Sequence, residues 1–189
     1  MTSAQALQKA GAPWDASKNL TVVITSGSGG TGFVGIQLAR AYGAGTIVTA
    51  TSGVANTAFV KSLGADIVYD YKVTDVFSPL ANDSVDIVYD NYGAKGTVDR
   101  AMPKLRAGGT FIFLPGKGGA LSKHPKPGVR QINYGLMVPS VKVLDELLGL
   151  YEGGAILPHV QASFPLANVS SAFAESATGQ VVGKLAVAM

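Results

Sequence analysis

Five short runs of apolar, β-branched and aromatic residues, LTVVIT (20–25), GTIVTA (45–50), ADIVYD (65–70), VDIVYD (85–90) and GTFIFL (109–114), carry almost no polar alternation. A strand that is apolar on both faces must be covered on both faces. The segments between the runs have helical period. TGFVGIQLARAYGA (31–44) sets Phe33, Ile36, Gln37 and Arg40 at helical spacings, GVANTAFVKSLGAD (53–66) sets Val54, Ala58 and Leu63 on one inner face, and GAKGTVDRAMPKLRAGG (93–109) does the same with Val98, Met102 and Leu105. Each segment closes on glycine, the usual C-terminal stop of a helix. Strands alternating with helices require right-handed crossovers. The fold class that follows is α/β, a doubly wound parallel sheet with helices on both faces.

The first strand-to-helix connection is the chemically distinctive one. Gly27, Gly29 and Gly32, in the turn Gly27-Ser28-Gly29-Gly30-Thr31-Gly32, fit G-x-G-x-x-G directly after a strand and at the mouth of a helix. Backbone N–H groups and the positive helix end there suit the pyrophosphate of a dinucleotide, as in a Rossmann-type fold. Gly27 allows the tight turn, Gly29 lets the backbone approach the phosphates, and Gly32 lets the helix pack closely on the strand. Gly29, Gly32 and Gly35 also fit G-x-x-G-x-x-G, the pattern of extended short-chain dehydrogenases, which need a Tyr-x-x-x-Lys pair. No tyrosine here has lysine four residues on.

The end of the second strand bears on which dinucleotide binds. A carboxylate about 20 residues past the glycines would accept from the ribose hydroxyls of NAD and repel the 2′-phosphate of NADP. The sequence there is TATSGVAN, with Thr51 and Ser52 and no acid. Two small hydroxyls and an open helix N-terminus at Gly53 point to NADPH.

Composition excludes several other classes. The chain has 189 residues, 47% of them hydrophobic and 14% charged, enough for one sizeable core. No apolar run approaches the roughly 18 residues of a membrane span, and the N-terminus lacks a charged start followed by an apolar block. The cytoplasm or an organelle interior is the expected setting. With no cysteine there is no disulfide, thiolate metal site or cysteine nucleophile. The net charge of +3 is scattered except in GKGGALSKHPKPGVR (116–130), where no aromatic residue interleaves with the cations. Single-strand nucleic-acid binders need such stacking platforms, so nucleic acid is not an expected partner.

SGSGGTGFVGIQLARAYGA, VKSLGADIVYDYK, VDIVYDNYG, MPKLRAGGTFIFLPG and the closing ILPHVQASFPLANVSSAFAESATGQVVGKLAVAM resemble, in order and over nearly the whole chain, the nucleotide-binding domain of zinc-free medium-chain dehydrogenase/reductases of the quinone oxidoreductase-like group. The resemblance implies NADPH binding and hydride transfer to quinones, enones or other activated alkenes. It places Tyr71 near the adenosine end, and Asn91 and Tyr92 after the fourth strand, with Leu114, Pro115 and Gly116 after the fifth, facing the ribose and nicotinamide. Asn56 stands where many members carry a lysine for the 2′-phosphate.

Members of this group begin with a barrel-like catalytic domain, and TSAQALQKAGA resembles the helix that follows it. The chain is therefore expected to be one dinucleotide-binding domain, with a core of about 18–153 and a C-terminal strand-helix-strand return segment at 154–189 that would pack on the catalytic domain. Its expected function is NADPH binding for a quinone or enone oxidoreductase, with little activity alone. The alternative is a non-enzymatic module that senses NADPH or binds a partner. No catalytic residue and no metal-ligand set is assigned. His124 and His159 read as surface or structural residues, Trp14 as a packing anchor, and Asp145 and Glu146 as the exposed side of a helix with inward leucines. VRQINYGLMVP (129–139) reads as a sixth strand at the sheet edge, which in the resembled group pairs with its copy in a homodimer.

Overall fold

The computed structural model describes residues 1–189. Helix α1 (Thr2–Lys9) precedes β1 (Thr21–Ile24), α2 (Gly32–Ala41), β2 (Thr46–Thr51), α3 (Val54–Ser62), β3 (Ile67–Asp70), β4 (Val85–Asp90), α4 (Thr97–Ala101), β5 (Leu105–Phe113) and β6 (Arg130–Asn133). Then follow α5 (Val141–Glu152), β7 (Val160–Pro165), α6 (Val169–Ala177) and β8 (Lys184–Ala188). The first six strands form one sheet in the order β3-β2-β1-β4-β5-β6, every pair parallel, while β7 and β8 pair in a small parallel sheet of their own. No helix is long and apolar enough to cross a membrane.

The lack of polar alternation is explained by what covers each face. On one face Val22, Ile24, Ile47, Ile87, Tyr89 and Ile112 pack with Ala4 and Leu7 of α1, Ile36 and Leu38 of α2 and Val143 of α5. The alternate residues Val23, Val48, Val88, Phe111 and Phe113 point the other way, onto Val98 and Ala101 of α4 and onto Val76 and Phe77. Period-two alternation thus separates two apolar layers rather than an apolar from a wet one.

Three sequence expectations fail locally. The segment after α4 was expected to stay helical to Gly108, but α4 ends at Ala101 and Leu105 already pairs with Val85 in β5. Pro103 accounts for this, because it lacks an N–H and its ring disfavours helix in the residue before it. In α3, Val54 is 88% exposed; Val60 is buried, and Phe59 and Leu63 pack against the core in place of Val54 and Ala58. In α5, Glu146 faces inward, accepting from the Tyr42 hydroxyl and the Gln8 amide, while Leu144 and Leu148 are half exposed.

The order of the sheet reverses between β1 and β4, so the connections leaving their C-terminal ends diverge and leave a crevice. The glycine turn borders it. A methyl group at Gly32 would overlap the carbonyl oxygen of Ser26, and one at Gly27 would collide with the Thr49 side chain, so both glycines are required by packing of the chain on itself. Gly32→Ala is expected to cost about 3 kcal/mol of stability, read as a lowered urea midpoint with an unchanged slope.

Candidate functional site

A cleft of about 600 Å³ opens at the C-terminal ends of β1, β2 and β4. One wall is the glycine turn, with Thr25, Ser26, Ser28 and Gly29; another is the end of β2, with Thr51, Ser52, Asn56 and Tyr71. The side beyond β4 carries Asp90, Tyr92, Thr97 and Arg100, and Val76 and Phe77 supply apolar surface. Thr178–Val181, leading into β8, close part of the rim.

Hydrogen bonds explain why these pieces meet. The Ser28 and Thr51 hydroxyls bond at 2.7 Å, joining the glycine turn to the end of β2. Asn91, just after β4, braces the same turn, its Oδ1 accepting from Ser26 N–H at 3.0 Å and its Nδ2 donating to the Ser26 carbonyl at 2.9 Å and to Thr31 Oγ1 at 3.3 Å. At the outer end the Ser52 and Tyr71 hydroxyls are 3.2 Å apart.

Gly29 differs from the other motif glycines. A Cβ built there would meet only Ser26, its Oγ at 3.1 Å and its carbonyl oxygen at 3.7 Å, and the backbone does not adopt positive φ. The fold itself does not demand glycine at this position, and the backbone stands bare toward the cleft. A dinucleotide pyrophosphate lying against that backbone fits both the bare turn and the start of α2.

Of the residues expected at a cofactor site, Ser28, Gly29, Thr51, Ser52, Tyr71 and Tyr92 line the cleft together. Gly27, Thr31, Gly32 and Asn91 stand behind it and shape the turn. Leu114 is half-buried, and Pro115 and Gly116 are exposed, away from the lining. The structure corrects one detail: the Gly53 N–H expected to be open is already engaged, donating to Asp70 Oδ2 at 3.2 Å.

Lys184 escaped the sequence reading, while Lys117 belongs to the basic segment 116–130. Lys184 Nζ lies 2.9 Å from where a Gly30 Cβ would stand, brought there by a 2.8 Å bond from Gly183 N–H to the Ser28 carbonyl. Lys117 lines the cleft near Ala94, with which it forms a bridge. A glycine-lysine pair at the start of the last strand was the available signal, but only the tertiary fold shows where it lands.

The sequence pattern of the zinc-binding dehydrogenase family matches residues 63–187. The chain is 32% identical to the chloroplast envelope quinone oxidoreductase homolog of Arabidopsis thaliana, over 99% of its own length and 58% of that protein. It is also 32% identical to the chloroplastic NADPH-dependent alkenal/one oxidoreductase of Arabidopsis thaliana, over 90% of its length and 41% of that protein. The fold matches the quinone oxidoreductase from Coxiella burnetii with a TM-score of 0.80 at 25% identity, covering all of this chain and 57% of that one. The chain spans about half the length of the curated relatives it matches. Its own residues do not fit a zinc site, since no three His, Asp or Glu side chains come together.

Asp90, at the end of β4, is the cleft's buried acid, 1% exposed. Its Oδ1 accepts from Thr25 Oγ1 at 2.7 Å and from the Gly93 N–H at 2.9 Å, which orients the turn after β4. Burial pushes its carboxyl above the ordinary value of 3.8, against the opposing pull of those donors and of Arg100. A carboxyl raised in the folded state favours folding while protonated, and that contribution is lost as pH rises from the unfolded value through the folded one. The stability of the parent minus that of Asp90→Asn is therefore expected to fall as pH rises from about 3.8 and then level off, measured by urea unfolding at stepped pH.

Proposed function

The chain belongs to the zinc-binding dehydrogenase family, and on that footing we propose that its 189 residues are the NADPH-binding part of an oxidoreductase acting on quinones, enones or related activated alkenes. The observation that carries this reading is the bare backbone of Gly29 facing a cleft at the point where the strand order reverses.

Nicotinamide, when bound, supplies the hydride. The chain's own groups bind and orient. Ser28, Gly29 and Gly30 offer backbone to the pyrophosphate, with Lys184 beside them as a compensating charge. Thr51, Ser52 and Tyr71 offer hydroxyls to the adenosine end, and Val76 and Phe77 an apolar wall for the base. Asn91 holds the turn rigid. Leu114, Pro115 and Gly116, carried over from the family resemblance, are assigned to the nicotinamide side. The lining adds Arg100 and Lys117 to this field, and Arg100 is paired with Asp75 at 2.7 Å. Such a field draws in an anionic ligand.

Quinones and enones are proposed as substrates because relatives that match the chain carry those activities in their names. A second reading, a module that binds NADPH without turnover, draws on the absence of both histidines from the cleft lining. Turnover separates the two: NADPH oxidation with a short quinone or enone above background favours the enzyme. The test of the site is Gly29→Val. It is expected to fold like the parent and to lose NADPH affinity at least tenfold in a calorimetric titration; parental affinity would remove the pyrophosphate from this turn.

A homodimer is also proposed. Strand β6 is the sheet's outer edge, and it runs into Leu136 and Val138, 81% and 63% exposed. An unpaired edge beside apolar surface favours pairing with a second copy. Light scattering is expected to give twice the chain mass, and Ile132→Pro to shift it toward the monomer.

A further inference from the structure

Gln37 is a polar residue on the covered side of α2, 6% exposed, with Phe33, Ile36 and Leu38 buried on the same helix. Its amide acts like one rung of a sheet. Oε1 accepts from the Leu157 N–H at 2.7 Å and Nε2 donates to the Leu157 carbonyl at 3.1 Å, so one side chain satisfies both backbone groups of Leu157. Nε2 also donates to the Phe33 carbonyl at 3.1 Å, which fixes the way the amide faces.

Leu157 opens an arm, residues 157–189, that reaches the cleft. Two residues on, the His159 ring lies 4.6 Å from that of Phe59 and 6.5 Å from that of Phe33. The His159 carbonyl accepts from the Lys184 N–H at 3.1 Å, and the Gly183 N–H reaches the Ser28 carbonyl. Whatever holds His159 therefore also holds Lys184 at the glycine turn and residues 178–181 at the rim. No residue after Ile156 belongs to either core cluster of the main sheet, and no side chain of the arm forms an ion pair. The arm is placed by a few directed contacts, and the buried amide is the first of them. We propose that Gln37 is a positioning residue of the cleft: it stands outside the lining, and by bonding Leu157 it holds the arm so that Lys184 stays against the glycine turn. The proposal rests on the cleft being the dinucleotide site.

Gln37→Met keeps the length and helix propensity of the side chain and removes both bonds to Leu157; Lys184→Met removes the cation alone. NADP+, stable in mild acid, is the probe, titrated by calorimetry on the whole chain, while amide hydrogen exchange reads the arm and the main sheet separately. Each single variant is expected to bind about three- to tenfold more weakly than the parent, and the double variant at most about twofold more weakly than the weaker single, because both act through one cation. Exchange in β7 and β8 should rise in Gln37→Met while β1, β2 and β4 keep parental protection. In Gln37→Glu the affinity relative to the parent should recover as pH falls and the carboxyl protonates, since the acid form again offers Leu157 one donor and one acceptor. Parental affinity in Gln37→Met, losses that simply add in the double variant, or an equal rise of exchange in the main sheet overturns the assignment. If the parent binds no NADP+, the dinucleotide reading of the cleft falls, and this role of Gln37 falls with it.

Discussion

Everything on the cleft side of the sheet depends on how closely α2 approaches the end of β1. The missing side chain of Gly32 lets the helix start against the Ser26 carbonyl, and Asn91 locks the approach by bonding Ser26 on both its N–H and its C=O. From that contact the turn is passed outward to its neighbours: Ser28 to Thr51, Thr31 to Ser3 of α1, and Ser28 again to Gly183. A glycine that the chain needs for itself thus stands three residues from one, Gly29, that it does not need. The motif reads as a single pattern, yet its members answer to different demands, self-packing at Gly27 and Gly32 and ligand access at Gly29.

The charges in the cleft divide in a similar way. Asp90 is buried and turned into the fold, where it organises the turn after β4. Arg100 and Asp75 neutralise each other at the rim. Lys184 and Lys117 are left without an ion-pair partner, one at the glycine turn and the other on the opposite side. The free cations therefore stand beside the glycine turn and across from it, a polarity suited to the phosphates of a dinucleotide.

Much of the architecture was legible in the sequence because burial on both faces leaves an unmistakable record. Each of the five apolar runs became a strand of the main sheet, and 129–139 supplied its sixth. Errors arose where local pattern competes with a specific constraint. Pro103 ended α4 early although Met102 and Leu105 kept helical spacing, and Glu146 turned inward because Tyr42 and Gln8 offered it donors that no periodicity can reveal. For the site, the glycine turn and the hydroxyls after β2 were readable because they are contiguous. Lys184 was not, since it arrives from the far end of the chain.

That last arrangement has a bearing on how the protein forms. The bond from Gly183 to Ser28 closes a loop of more than 150 residues, and contacts so distant in sequence are slow to form because the entropy of closing the loop is lost before the contact is gained. The glycine turn sits in the first strand-helix unit, yet its last wall arrives with the final strand. The six-stranded sheet can assemble from neighbouring βα units while the cleft is still three-sided. Competence to bind is then a late event in folding, separated in time from the appearance of the sheet.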